Sequence, residues 1–314
     1  MHDWKNIILP EFEVRKTRAQ KTKFIEMLRE IYGDRLSVEE EKGGLKSRNI
    51  VIGDPETAKI VFTAHYDTCA RMPFPNFITP CNFFAYLVYQ LILTAVLLIP
   101  AFGIAALAAF LSADLPDSAG LILTELGLFV PLMAELYLIM AGPQNPHTAN
   151  DNTSGVVTVL TICDRLTEAG NTDTAFILFD HEEMGLVGSA AYAKKHPNVK
   201  NSTLIVNLDC VSDGDNILIV TSKQAEGSDF AEYIGSRAEE VFGKYAKTPV
   251  ICSHNKAFYP SDQKAFKNTA AVAALKKAPV VGLYMDKIHT VKDTAFDDRN
   301  IAALTDLFCG YAER

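Results

Sequence analysis

Lys59-Ile60-Val61-Phe62-Thr63-Ala64-His65-Tyr66-Asp67 is a short apolar and β-branched run that ends abruptly in an imidazole and a carboxylate. Residues 174–179, Thr-Ala-Phe-Ile-Leu-Phe, repeat the pattern and end in Asp180-His181-Glu182-Glu183. Neither run alternates apolar with polar residues, so both read as strands covered by helices on both faces. Runs at 49–52, 203–208, 216–220 and 280–284 have the same character, and helical patterns occupy 155–166, 186–195, 230–242 and 299–311. This alternation predicts an α/β fold, a three-layer sandwich around a mixed, largely parallel central sheet.

The 314 residues are 48% hydrophobic and 22% charged, which suits a large core and excludes a disordered chain. The length predicts one or two domains. Thirty Lys and Arg against 38 Asp and Glu leave a net charge of −8, so no nucleic-acid partner is expected. Cys69, Cys81, Cys163, Cys210, Cys252 and Cys309 form no Cys-x-x-Cys pair and read as reduced, mostly buried thiols in a cytoplasmic setting. The N-terminal MHDWKNIILPEFEVRKTRAQ lacks the pattern of a secretory signal, so export of the catalytic part by that route is not expected.

Charge is absent from Met72 to Ala113, and no Lys or Arg occurs between Arg71 and Arg165. Residues 83–111 and 119–141 are apolar runs, joined by a polar link at 112–118 that carries Asp114 and Asp117. Each run exceeds the roughly 20 residues that cross a bilayer core. Pro100 and Pro131 sit at similar distances from Leu115 at the apex, matching a helical hairpin. The predicted organisation is therefore a catalytic α/β domain in two parts, 1–71 and 142–314, with an inserted hydrophobic hairpin at 72–141 that associates with membrane through 83–141. The alternative is a soluble cap or dimerisation arm of four shorter helices broken at the prolines, which Glu125 and Glu135 favour because intramembrane carboxylates are costly. If the hairpin spans, its acid-only link opposite a basic-residue-bearing domain places the catalytic part in the cytoplasm, at the cell membrane. A helix is also expected over 15–31. Its Arg15, Lys16, Arg18, Lys21 and Lys23 read as a solvated face, or else as a patch drawn to anionic lipid.

The chemistry-bearing residues gather at strand ends: His65 and Asp67 after 59–64, Glu182 and Glu183 after 174–179, Asp209 after 203–208, and His289 beyond 280–284. Asp151 precedes the helix at 155. In open α/β sheets ligands bind beyond the carboxyl ends of strands, so these groups can converge. Two His and several carboxylates suit zinc, with Mn2+ or Co2+ as substitutes. A single carboxylate bridges two metals with its two oxygens. Of the adjacent Glu182 and Glu183, one can bind metal while the other moves protons. Asp293 reads as a turn residue that could bond the His289 loop. Cys210 is expected to point away from Asp209 by strand alternation, and His254 is a weaker candidate for reaching substrate.

His65-Tyr66-Asp67-Thr68, Asn150-Asp151-Asn152-Thr153-Ser154-Gly155, Glu182-Glu183-Met184-Gly185-Leu186-Val187-Gly188-Ser189, Asn207-Leu208-Asp209 and His289-Thr290-Val291-Lys292-Asp293 resemble, in order, the motifs of the M28 metallopeptidases, co-catalytic dizinc aminopeptidases and carboxypeptidases with glutaminyl cyclases as relatives. The likeness covers 1–71 and 142–314. It implies two Zn2+ ions, with Asp151 bridging, His65 and Asp209 on one metal and Glu183 and His289 on the other. It implies further that Glu182 is the general base, that Asp67 orients His65, and that a cis peptide follows Asp151. Ser261-Asp262-Gln263 departs from a common Ser-Asp-His, Asn150 replaces a frequent Asp, and His181 a small residue; these bear on substrate preference. The implied activity is hydrolysis of a peptide substrate by a zinc-dependent exopeptidase of aminopeptidase type. A glutaminyl cyclase, a carboxypeptidase-type or N-acyl amino acid hydrolase, and an inactive membrane scaffold are the alternatives. Because the insert lies between His65 and Asp151, its base is expected beside the cleft.

Overall fold

The computed structural model describes residues 1–41 and 46–314. Its strands are β1 Leu36–Glu40, β2 Arg48–Ile52, β3 Ile60–His65, β4 Thr174–Phe179, β5 Leu204–Leu208, β6 Asn216–Thr221, β7 Thr248–Ser253, β8 Thr269–Ala278 and β9 Gly282–Tyr284. They run in the order β1-β2-β4-β3-β5-β8-β6-β7, with β9 paired to β8. The centre, β4-β3-β5-β8, is parallel throughout, while β2 and β6 flank it antiparallel. The helices are α1 Trp4–Glu11, α2 Arg18–Tyr32, α3 Phe83–Leu111, α4 Asp117–Ala141, α5 Gly155–Glu168, α6 Val187–Lys195, α7 Pro197–Asn201, α8 Asp229–Gly243 and α9 Asp298–Ala312.

Burial on both faces explains the unbroken apolar runs. From β3, Ile60, Phe62 and Ala64 join one core with residues of α1, α2, α5, α8 and α9, whereas Val61 joins Ile177, Tyr192 and Val199 on the other face. The three layers are those the alternation of elements predicts.

Two sequence expectations need correction. Strand β8, parallel to β5 in the central sheet, is not part of the predicted run at 280–284. Its Thr-Ala-Ala-Val-Ala-Ala-Leu-Lys-Lys-Ala composition favours helix intrinsically, but β5 on one side and β6 on the other hold it extended. Only Gly282–Tyr284 of the predicted run is a strand, a hairpin return on β8, and Val280 is fully exposed. The basic helix face is also solvated only in part, since Arg18 and Lys23 are exposed but Arg15 and Lys21 are buried. A capping box between Thr17 and Gln20 starts α2 after Arg15, and Arg15 is buried, donating to the carbonyls of Tyr66 at 2.6 Å and Phe12 at 2.5 Å. Lys21 lies on the inner face and pairs with buried Asp180.

The apolar insert is the expected helical hairpin. Each apolar run is one continuous helix with its proline inside, so the four-helix alternative does not hold. The pair pack through small residues: a Cβ on Gly127 would come within 3.1 Å of Ala105 and Ala108. Outward, both helices present apolar side chains from Phe83 to Met140, and only Ala101 and Ala105 of α3 are buried.

At the β1 edge, His196 sits between Glu39 at 3.0 Å and Glu56 at 2.7 Å. Burial lowers its affinity for a proton, but the two carboxylates outweigh that and raise its pKa. A raised folded-state pKa contributes stability that is complete below the unfolded value near 6.5 and is lost as pH rises through the folded value. His196→Ala is expected to cost about 1 kcal/mol or less at pH 5.5, with the difference in Tm from wild type shrinking toward pH 8.5. A Tm difference independent of pH over that range would rule out the ion pairs as its source.

Candidate metal centre

The segments that carry the cluster are fixed by their main chains. Asn150 Oδ1 accepts from the N–H groups of Ser212 and Asp213, at 2.7 and 2.9 Å. Asn152 bonds Leu208 O, Gly155 N and Cys210 N, and Ser154 Oγ accepts from Val211 N. The polar motif at 150–154 is therefore a clamp on the chain leaving β5. Gly155 completes it, because a Cβ there would fall 2.3 Å from Leu208 O. The Asp151–Asn152 peptide is cis.

Asp293 is more than a turn residue. Its two carboxylate oxygens accept from the N–H groups of Asn150 and Asp151, both at 3.0 Å. Asp67 does the same work elsewhere: Oδ1 accepts from Glu182 N at 3.0 Å and Oδ2 from Glu183 N at 3.3 Å. His65 Nδ1 lies 3.1 Å from the main-chain O of Asp67 and 3.6 Å from its carboxylate. Asp67 thus contacts His65 mainly through its backbone, and its side chain aims the two glutamates.

The donor atoms then converge. His65 Nε2 lies 3.3 Å from Asp151 Oδ1 and 3.5 Å from Asp209 Oδ1. His289 Nε2 lies 3.0 Å from Asp151 Oδ2 and 3.3 Å from Glu183 Oε2. Each oxygen of Asp151 faces a different imidazole. His65 also forms a group with Glu182 and Glu183 whose donor atoms all lie within 4.8 Å of one another.

Charge in the cluster is one-sided. Burial lowers both imidazoles, yet Glu182, Asp151 and Asp209 raise His65 well above its ordinary value, and Glu183 and Asp151 raise His289 to about 9. Burial, with Asp151 and Asp67 nearby, pushes Glu183 up to about 8. Burial likewise pushes Asp67 up, but His65, Lys21 and the Glu182 N–H together bring it down to about 2. Glu183 Oε1 is buried with no hydrogen-bond partner among the described residues. Two imidazoles and several carboxylates competing for too few protons are the donor set that divalent cations satisfy, so the residues fit a metal pair.

Other candidates resolve differently. Cys210 follows the end of β5, so strand alternation does not govern it, and its thiol donates to Asp209 Oδ1 at 3.2 Å. His254 is exposed and pairs with Glu226 at 3.0 Å instead of joining the cluster. Gln263 is bound into a buried amide network, accepting from Asn207 and donating to Tyr259 O. His181 bonds Ser47 Oγ at 2.9 Å and lines the cavity beside Glu183. Sequence reasoning missed Cys69, whose thiol lies within 4.8 Å of donor atoms of Asp151, Glu183 and His289. It also left Asp262 without a role; that residue is fully buried, its oxygens have no hydrogen-bond partner among the described residues, and burial pushes it up to about 7.

The hairpin base touches this centre. Met72 N donates to His289 O at 2.7 Å, Arg71 N to Pro143 O at 2.8 Å, and Ala70 bridges Gln144.

A family model described as Peptidase family M28 matches residues 135–312. Among solved structures, the LapA aminopeptidase of Legionella pneumophila aligns with TM-score 0.52 and 14% identity, covering 99% of this chain and 68% of that one. Glutaminyl cyclase of Tannerella forsythia aligns with TM-score 0.58 and 17% identity over 98% and 94% of the two chains. LapB of Legionella pneumophila gives 0.50 and 16% over 99% and 70%. At these identities the likeness is one of fold. No curated protein matches the sequence.

Proposed function

The chain belongs to peptidase family M28, and from that membership we propose that it is a two-zinc exopeptidase of aminopeptidase type acting on peptides. One observation carries this reading: the two oxygens of Asp151 face two different imidazoles, at 3.3 and 3.0 Å, each accompanied by a further carboxylate. Asp151 would bridge the ions, with His65 and Asp209 holding one and Glu183 and His289 the other. When bound, such a pair acidifies a water and polarises the scissile carbonyl.

The chain's own residues do the rest. Glu182 accepts the proton of the attacking water on its carboxylate and delivers it to the departing amide nitrogen, which leaves as an amine. Asp67 fixes the N–H groups of Glu182 and Glu183, so that neighbouring carboxylates serve different tasks. Asp293 fixes the main chain of Asp151 in the same way. The helices α3 and α4 would anchor the enzyme at the cell membrane, with the catalytic part on the cytoplasmic side and its cleft near the bilayer surface.

Glutaminyl cyclase remains a rival because a cyclase shares the fold over nearly its whole length. Retention of both imidazoles and both adjacent glutamates supports two metals, and with them hydrolysis. Purified protein is expected to hold two zinc ions per chain, to release N-terminal residues from free peptides and to spare N-acetylated ones. A chelator should abolish turnover and added zinc restore it. Ammonia and a cyclised product from Gln-peptides would favour the cyclase; preference for the N-blocked series would favour the N-acyl or carboxypeptidase reading.

A further inference from the structure

A cavity of about 350 Å3 beside the centre is lined by Glu183 and Met184, by Lys16 and Thr17, and by Ala141 and Gly142 at the end of α4. Its volume is at the small end for ligand sites, suited to a terminal residue and little more.

Two lysines line it, and they differ. Lys21 is buried and committed to Asp180. Lys16 is half-buried, and among the described residues the single hydrogen bond of its ammonium is from Nζ to Met140 O, at 3.1 Å. An ammonium has three N–H groups, so two remain for another acceptor. The C-terminal end of a helix favours a cation there, which accounts for the position of Lys16 but not for its place on a cavity wall. Of the two carboxylates that line the cavity, Glu183 is a proposed metal ligand, and its charge would then be spent on the metal. Asp67 also lines the cavity, but both its oxygens are taken by the N–H groups of Glu182 and Glu183, so Lys16 keeps N–H groups for an acceptor entering the cavity.

We propose that Lys16 seats a carboxylate of the substrate, making the enzyme selective for peptides that present an anion close to the scissile bond. The inference rests on the exopeptidase reading and assigns its substrate class. Two sources share this chemistry: the acidic side chain of the terminal residue, and the free C-terminus of a dipeptide. A charge-assisted hydrogen bond of this kind corresponds to about tenfold or more in affinity.

The test uses the full-length, zinc-loaded protein with four substrates: Ala-Ala, Ala-Ala-amide, Glu-Ala-amide and Gln-Ala-amide. Wild type should show KM about tenfold or more lower for one acid than for its neutral partner. Lys16→Met should erase that ratio while leaving the neutral substrates within about twofold, and Lys16→Arg should restore it. A ratio seen with Ala-Ala assigns the C-terminal carboxylate, and one seen with Glu-Ala-amide the side chain. Equal KM for acids and neutral partners in wild type overturns the inference while leaving the hydrolase intact. So does a Lys16→Met loss spread evenly over all four, which marks a structural role at the end of α4. Turnover of none of the four overturns the hydrolase reading instead. Calorimetric binding of the same set to Glu182→Gln protein then decides on Lys16 alone, by the same ratios.

Discussion

Glu182→Gln is expected to keep its two metals and lose about 10²–10⁴-fold in kcat, with KM little changed. The substitution preserves shape and hydrogen-bonding capacity but removes the ability to take up a proton. It leaves the Glu182 N–H on Asp67 Oδ1, so the direction of Glu183 is retained. Burial, opposed by His65 and reinforced by Glu183 and Asp209, holds Glu182 well above the ordinary carboxylate range in the metal-free protein, so its affinity for a proton is already high. Glu183→Gln is the contrasting case, because it removes a donor that faces His289 and should lower metal content first. Metal analysis alongside kcat separates the two. Full activity in metal-replete Glu182→Gln would remove Glu182 from the proton shuttle; loss of metal would make it a ligand.

The sheet centre was legible because β3, β4 and β5 are buried on both faces, which leaves unbroken apolar runs in the sequence. The strand β8 was not, since alanine carries little pattern and its extended form comes from neighbours on both sides. The cluster was legible where a strand end or a motif names its residues, as at His65, Glu182, Glu183 and Asp209. Residues brought beside the cluster by tertiary structure alone left no local signal. Lys16 comes from the turn before α2, Cys69 from the chain leading to the hairpin, and Asp262 from a short 3-10 turn. Asp293 was seen but misjudged, because its partners, the N–H groups of Asn150 and Asp151, lie far away in sequence.

Replacing 74–141 with a short linker is expected to move the protein from the membrane fraction to the soluble fraction, with its metal content intact. At about 1.5 Å per residue α3 is about 43 Å long and α4 about 37 Å, both longer than a hydrocarbon core of about 30 Å. For α4 alone insertion is near break-even: Glu125 and Glu135 each cost about 2.5–3.5 kcal/mol, while each Leu, Ile, Phe or Val returns about 0.3–0.6. The uncharged α3 has no such cost, so the pair is expected to insert together, held by the close approach at Gly127. The ends of the deletion are already joined through Ala70, Arg71, Pro143 and Gln144, and Met72 keeps its bond to His289 O. Loss of the contacts of Ile78 with Met285 and of Asn82 with Val281 should cost some order in the His289 loop, seen as about tenfold or less in kcat. Sedimentation with vesicles, read with and without detergent, checks the partition. A wild-type protein that stays soluble and dimeric without detergent, and becomes monomeric on deletion, would make the hairpin an arm between subunits and leave the metal chemistry untouched.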